Sequence, residues 1–142
     1  MKRILVATDG SDGANRAIDT AAGLAKAAGA ELIVLTIGGN ITGAELRRLA
    51  SVNGDLSRTL EVRAHRLLKQ AEKRVKKLGI SAPTLRCGWG DPAETIIDAV
   101  NREKVDAVVV GRRGRSRLSG LLLGSVSQKV ASLAPCTVIV VP

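Results

Sequence analysis

Residues 107–126 of the chain read AVVVGRRGRSRLSGLLLGSV, an apolar run followed by a segment rich in glycine and arginine. The run Ala107–Val110 predicts a strand buried on both faces, because strands of a parallel sheet lie between two layers of helices. Residues Ser125–Leu133 predict a helix that stops before Pro135. A buried strand, a glycine-rich loop and a helix in succession are typical of α/β proteins.

The same alternation of strand and helix extends through the rest of the chain. Apolar runs predict strands at Arg3–Thr8, Glu31–Ile37 and Thr137–Val141, and Thr84–Cys87 predicts a further short strand. We therefore predict an α/β fold with a five-stranded, parallel, Rossmann-like sheet that has helices on both faces.

Helical spacing predicts four main helices. One ends at Gly29, one carries an apolar stripe from Leu56 to Leu78, one starts at Asp91-Pro92-Ala93-Glu94, and one is the helix before Pro135. The stripe consists of Leu56, Leu60, Ala64, Leu67, Ala71, Val75 and Leu78. Residues 41–55 predict a loop with a helical turn around Ala44–Leu49.

The composition restricts both partners and location. Trp89 is the one aromatic residue among 142, which argues against base stacking on single-stranded nucleic acid. No apolar run is long enough to cross a membrane, and the opening run ends at Asp9, too early for a signal peptide. We expect a cytoplasmic protein in which Cys87 and Cys136 are buried thiols.

The loop after the fourth predicted strand has the chemistry of a phosphate site. Glycines at 111 and 114 let backbone N–H groups approach an anion, and the helix start at Gly124-Ser125 favours negative charge. The loop after the first strand, Ala7–Ser11, ends at the same edge of the sheet, where parallel sheets bind their ligands.

With these residues the chain resembles the universal stress proteins, and in particular their ATP-binding branch. That branch carries a Gly-x2-Gly-x9-Gly-(Ser/Thr) signature, which Gly111, Gly114, Gly124 and Ser125 match. The resemblance covers the whole chain and includes three further segments, residues 4–11, 90–94 and 135–142. It implies that residues 1–142 form a single nucleotide-binding domain with the architecture of the adenine nucleotide alpha hydrolases.

The resemblance also implies a set of contacts with ATP. Asp9 matches the acidic residue that meets the ribose hydroxyls, Ala7 and Thr8 line the same crevice, and the backbone of Ile37 meets the adenine. The phosphate loop corresponds to Gly111, Gly114, Gly124, Ser125 and Val126. A Mg²⁺ or Mn²⁺ ion on the phosphates is compatible with this site, although no acidic cluster would hold a metal alone.

Two assignments keep an alternative. Nothing in the family pattern requires the arginines at 112, 113, 115 and 117. Arg112 and Arg113 are placed in the site because they could neutralise a triphosphate, but these arginines could equally be solvated or carry a second anionic partner. Asp9 could simply cap the first helix.

These features predict an ATP-binding regulatory or stress-response protein with little or no hydrolysis, since the Walker lysine pattern is absent. Three alternatives remain. The chain could be a slow ATPase, a ligase-type adenylyl-transferring enzyme, or a nucleic-acid or protein interaction module that uses the basic loop 112–117. We regard the basic stripe from 63 to 77 as a solvated helix face and do not expect nucleic acid as a partner. We expect a homodimer through Val138–Val141, an apolar edge that would otherwise invite aggregation.

Overall fold

A computed structural model describes residues 1–112 and 123–142. In this part of the chain five strands form one sheet: β1 (Arg3–Thr8), β2 (Glu31–Ile37), β3 (Thr84–Gly88), β4 (Ala107–Gly111) and β5 (Thr137–Val141). The same part forms five helices: α1 (Asp12–Ala28), α2 (Gly43–Val52), α3 (Gly54–Lys77), α4 (Pro92–Arg102) and α5 (Ser125–Leu133).

All the strands are parallel and lie in the order β3-β2-β1-β4-β5. The chain first adds strands on one side of β1 and then crosses to the other side with β4. The strand order therefore reverses between β1 and β4. The predicted five-stranded parallel α/β fold is confirmed.

Alternate residues of each strand enter two separate cores, one on each face of the sheet. Ile4 and Val6 pack with α1 and α3, whereas Leu5 packs with α4 and α5. These three side chains are fully buried. Burial on both faces explains why β1, β2 and β4 are continuous apolar runs rather than alternating ones.

The structure contains one helix more than the sequence predicted. Residues expected to form a loop with one helical turn form the complete helix α2, capped by Thr42, whose Oγ1 accepts a 3.1 Å hydrogen bond from the N–H of Glu45. Leu46 is the one buried residue of α2. Apolar periodicity is weak in a helix that buries a single side chain, so the sequence pattern did not reveal this one.

The buried face of α3 agrees with the predicted stripe at Ala64, Ala71 and Val75 and differs from it elsewhere. Leu68 is buried instead of Leu67, and Leu56 and Leu78 at the two ends are 46% and 40% exposed. The guanidinium of Arg74 donates two hydrogen bonds, of 2.7 and 2.8 Å, to the carboxylate of Asp19 in α1. This pair ties α3 to α1, and the hydrogen bonds lower the pKa of Asp19 from its ordinary value.

The prediction of two buried thiols is wrong for Cys87, which is exposed, while Cys136 is partly exposed. Cys87 lies in β3 and Cys136 directly precedes β5, and these two strands form the edges of the sheet. Strand order is a tertiary property, so the sequence alone did not reveal which strands would be edges. No helix in residues 1–112 and 123–142 has both the length and the apolar character required to cross a bilayer.

Candidate functional site

The carboxyl ends of β1 and β4 form the point at which the strand order reverses. The two strands pair in register from Ile4 with Ala107 to Val6 with Val109, so they end at the same edge of the sheet. Asp9 follows β1 there and Arg112 follows β4. In parallel α/β sheets the crevice at this reversal is the usual place for a ligand.

Gly111, the last residue of β4, packs closely against the first turn of α1. A Cβ atom on Gly111 would lie 3.2 Å from the carbonyl carbon and oxygen of Gly13, and 3.4 Å from the backbone nitrogen of Ala14. These neighbours belong to the backbone of α1, which cannot move aside easily. The first glycine of the signature is thus needed for close packing against the first turn of α1.

The loop after β1 is held by its own side chains. The hydroxyl of Thr8 accepts a 3.2 Å hydrogen bond from the N–H of Gly10, and a carboxylate oxygen of Asp9 accepts one of 2.9 Å from the N–H of Ser11. Ser11 is the residue that caps α1, because its Oγ accepts from the N–H of Ala14 at 3.2 Å. The alternative in which Asp9 caps α1 is therefore wrong, and Asp9 shapes the turn before the helix instead.

The end of β2 lies beside this loop. Thr8 pairs with Thr36, and the buried hydroxyl of Thr36 donates a 2.9 Å hydrogen bond to the carbonyl oxygen of Thr8. Ile37 is the next residue and the last one of β2, so it lies at the same edge as Asp9. The predicted positions Ala7, Thr8, Asp9 and Ile37 are thus together in the structure.

The chain on either side of residues 113–122 is joined by backbone and side-chain hydrogen bonds. The carbonyl oxygen of Arg112 accepts from the N–H of Gly124 at 2.7 Å and from the hydroxyl of Ser127 at 2.7 Å. The N–H of Arg112 donates to the carbonyl oxygen of Val141 at the end of β5. The predicted site residues Arg113 and Gly114, and the arginines at 115 and 117, lie outside the described residues.

The N-terminus of α5 begins at Ser125, with Gly124 in the capping position. Within residues 1–112 and 123–142, no side chain accepts a hydrogen bond at this cap. Ser125 is exposed and Val126 is partly buried against the core next to α4. A helix end of this kind carries partial positive charge from its N–H groups, which suits an anionic ligand.

Trp89 packs on the loop that follows β2. A Cβ atom on Gly38 would lie 2.5 Å from Cζ3 and 2.7 Å from Cζ2 of the indole, so the ring takes the space a side chain would need. The N–H of Gly38 donates to Gly88 at 2.8 Å, and that of Gly90 donates to Gly39 at 3.0 Å, which joins the two loops around Trp89. The indole therefore packs on Gly38, the residue that follows Ile37.

The sequence reasoning missed three residues that build this edge, namely Gly13, Thr36 and Ser127. A glycine in the first turn of a helix is unfavourable for helix formation, so Gly13 could have signalled a close backbone contact. Thr36 and Ser127 are buried polar residues, at 0% and 2% exposure. Their burial is a tertiary property, and no local sequence pattern indicates it.

No group of three or more histidine, cysteine or acidic side chains suited to a metal occurs within the described ranges 1–112 and 123–142.

Solved structures of other proteins have the same architecture. UspA from Lactobacillus plantarum superposes with a TM-score of 0.81 at 29% sequence identity, over 99% of this chain and 97% of that one. A universal stress protein solved in complex with cAMP superposes with a TM-score of 0.77 at 32% identity, over 99% and 97% of the two chains.

Sequence comparison gives the same relationship. Universal stress protein YxiE of Bacillus subtilis is 34% identical over 145 residues, which cover 98% of this chain and 97% of the relative. The model of the universal stress protein family matches residues 1–142. The chain belongs to the universal stress protein family.

Proposed function

We propose that this chain is an ATP-binding member of its family, a single domain that holds the nucleotide as a regulatory ligand in stress response. The observation that carries the proposal is the contact between Gly111 and Gly13. It brings the end of β4 against the first turn of α1, which follows the turn containing Asp9, at the point where the strand order reverses. One ligand with a ribose at one end and phosphates at the other would span both loops.

In the proposed complex the adenine lies against the backbone of Ile37 and the ribose hydroxyls meet Asp9, while Ala7 and Thr8 line the crevice. The phosphates meet Gly111, Arg112, Arg113, Gly114 and the start of α5 at Gly124, Ser125 and Val126. Backbone N–H groups at a helix start and in glycine-rich turns are suited to phosphate oxygens. The relative solved with cAMP supports an adenine nucleotide as the ligand class.

Slow or absent hydrolysis is the second part of the proposal. Fast hydrolysis needs a group that orients or activates water near the terminal phosphate. The chain's one histidine, His65, lies exposed on α3, and Asp9 is engaged with the N–H of Ser11. A Mg²⁺ or Mn²⁺ ion would be held mainly by the phosphates.

The proposed form is a cytoplasmic homodimer joined through β5. This strand is an edge of the sheet, and Val138, Ile139 and Val140 are only partly buried in the single chain. A second copy would pair with the free edge and cover these side chains. Light scattering should give the mass of a dimer, and a monomer mass at micromolar concentration would contradict this part of the proposal.

Calorimetric titration of ATP with Mg²⁺ tests the nucleotide site. Before the titration, a separate sample of the protein is denatured and analysed for nucleotide carried through purification. Gly124→Val is the informative variant, because the backbone at Gly124, with φ −73° and ψ 167°, is one that valine adopts readily. The fold should therefore persist while the added side chain blocks approach of the phosphates.

We expect saturable binding by the unchanged protein and loss of binding in Gly124→Val. Gly23→Ala is the matched control, because a Cβ there meets no atom within 4 Å and the residue is in α1 away from the loops. A nucleotide-free sample that does not bind ATP would overturn the proposal. Linear accumulation of ADP over many turnovers would instead overturn the part concerning hydrolysis.

A further inference from the structure

The positive charge of the chain is concentrated in α3. This helix has 24 of the 142 residues, yet it carries eight of the 22 arginines and lysines and three of the 13 acidic residues. Its buried side is formed by Ser57, Ala64, Leu68, Ala71 and Val75, so the basic residues other than Arg74, which pairs with Asp19 of α1, are left on the outward side. That outward side, from Arg58 to Lys77, is called the basic face below.

Most cations of the basic face have no acidic partner. Arg63, Arg66, Lys73 and Lys77 are exposed and form no ion pair with any residue in 1–112 or 123–142. Lys69 and Lys76 share one carboxylate, that of Glu72, at 3.3 and 3.7 Å. An ordinary solvated helix face mixes both signs of charge in similar numbers, whereas this one has a large excess of cations.

The cations also stand next to one another. Residues three or four positions apart are neighbours on a helix, and Arg63, Arg66, Lys69, Lys73 and Lys77 form an unbroken series with such spacing. Like-charged neighbours destabilise a helix, and the repulsion is relieved when an anion binds between the charges. The isolated chain therefore carries repulsion that a polyanion would remove.

We propose that the basic face of α3 docks on the phosphate backbone of duplex nucleic acid without reading the bases. The series from Arg63 to Lys77 extends about 21 Å along the helix axis at 1.5 Å per residue. Phosphates of one strand follow one another about every 3.4 Å along the duplex axis, so several lie within reach of this length. Contacts of this type need neither aromatic side chains nor a recognition motif, so the scarcity of aromatic residues does not oppose them.

Two other partners fit the basic face less well. A helix that lies on a membrane inserts an apolar side, but the apolar side of α3 is buried in the core and Val62 is the exposed apolar residue between Arg58 and Arg66. The centre of a protein–protein interface is depleted of charged residues and rich in aromatic ones, unlike this densely charged surface. A linear array of phosphates matches the exposed groups best.

Fluorescence anisotropy with a labelled DNA duplex of mixed sequence tests the proposal, in the absence of ATP and over a series of salt concentrations. We expect binding at low salt, with log K falling linearly against log[salt] at a slope of about −4, as for four or five neutralised phosphates. The charge-reversal variant is Arg66→Glu with Lys73→Glu. Its matched control is Lys2→Glu with Arg102→Glu, which makes the same change in net charge at exposed positions outside α3.

We expect the α3 variant to bind at least tenfold more weakly and the control to bind within about twofold of the unchanged protein. The double variant Arg66→Gln with Lys73→Gln removes two charges without reversing them, and it replaces the charge-reversal variant if that one does not fold. It should reduce the magnitude of the slope of log K against log[salt] by about two. Equal losses in the α3 variant and the control would overturn the proposal, since they would indicate a response to net charge alone. Absence of binding at low salt, or tighter binding to anionic lipid vesicles through the same residues, would overturn it too.

The proposal does not depend on the nucleotide site. Gly124 precedes α5 and lies outside α3, so the Gly124→Val variant should bind the duplex as the unchanged protein does. Failure of ATP binding and failure of duplex binding are therefore separate results.

Discussion

The hydroxyl of Ser127 donates a 2.7 Å hydrogen bond to the carbonyl oxygen of Arg112, across 15 positions of the chain. Ser127 is buried, and its Oγ also lies 3.0 Å from the carbonyl oxygen of Gly124. With the hydrogen bond from the N–H of Gly124 to the same oxygen of Arg112, it joins the end of β4 to the start of α5. Ser127 thus positions both ends of the proposed phosphate loop.

Replacing Ser127 with alanine should weaken ATP binding and modestly reduce stability. Loss of one buried hydrogen bond costs about 1 kcal/mol in the free energy of unfolding, which urea denaturation measures. ATP affinity should fall several-fold, because the two sides of the loop are less firmly held. Ser127→Thr keeps the hydroxyl and should restore much of the affinity. Equal affinity in Ser127→Ala and the unchanged protein would show that this contact does not position the loop.

Gly111→Ala should destabilise the protein, and Gly23→Ala should stabilise it. The new methyl group at 111 would lie 3.2 Å from backbone atoms of Gly13, and forced overpacking of this kind costs about 1–3 kcal/mol. At 23 the methyl meets nothing within 4 Å in a helix interior, where alanine is favoured over glycine by about 0.5–1 kcal/mol. Thermal unfolding should therefore shift in opposite directions for the two variants. A neutral Gly111→Ala would contradict the close contact.

Gly38→Ala should displace the indole of Trp89. The added methyl and the ring cannot occupy the same space, and Trp89 is the one fluorescent aromatic residue in the chain. We expect its emission to move to longer wavelength as the ring gains contact with water, with a loss of stability. Gly39→Ala is the control, since the nearest ring atom there would be 3.6 Å away, an ordinary contact. An unchanged emission spectrum in Gly38→Ala would count against the packing described for Trp89.

Asp9→Asn should remove the preference for ribose hydroxyls if the proposed complex is right. The unchanged protein should bind ATP more tightly than 2′,3′-dideoxy-ATP by about tenfold, as expected for hydrogen bonds to a charged group. Asparagine retains an oxygen for the N–H of Ser11, so the turn should persist. The variant should bind the two nucleotides with similar affinity in calorimetry. If the variant still binds ATP more tightly than 2′,3′-dideoxy-ATP, the ribose hydroxyls do not contact Asp9.

The stability contribution of Asp91 should depend on pH. Its carboxylate caps α4 by accepting from the N–H of Glu94 at 3.0 Å, and this hydrogen bond, with a smaller contribution from Lys129, lowers its pKa in the folded state. A lowered pKa stabilises the fold above the unfolded value of about 4, and the effect is lost as the pH falls through the folded value.

The free energy of unfolding of the unchanged protein should therefore decrease more steeply below about pH 4 than that of Asp91→Asn, which keeps a cap without a charge. Urea denaturation at several pH values measures both curves. Parallel curves for the two proteins would show that the charge of Asp91 contributes nothing.

Strands β1, β2 and β4 were predictable from the sequence because a strand buried on both faces must be almost wholly apolar. The bounds of β1, β2 and β5 agree with the apolar runs, and those of β3 and β4 extend one residue further, to Gly88 and Gly111. The start of α4 was predictable for a local reason too, because Asp91 and Pro92 act within one helical turn. Helix α2 was not predictable from the sequence, because it buries only Leu46 and so has a weak apolar periodicity.

The sequence by itself determined the α/β class, the positions of the strands and the resemblance carried by the glycine signature, since these depend on neighbouring residues and their periodicity. Only the tertiary structure decided that β3 and β5 are edges, that Gly111 touches Gly13, and that Ser127 bonds to Arg112. These relationships join residues distant in the chain. They arise when crossover connections place strands side by side, which no local pattern specifies.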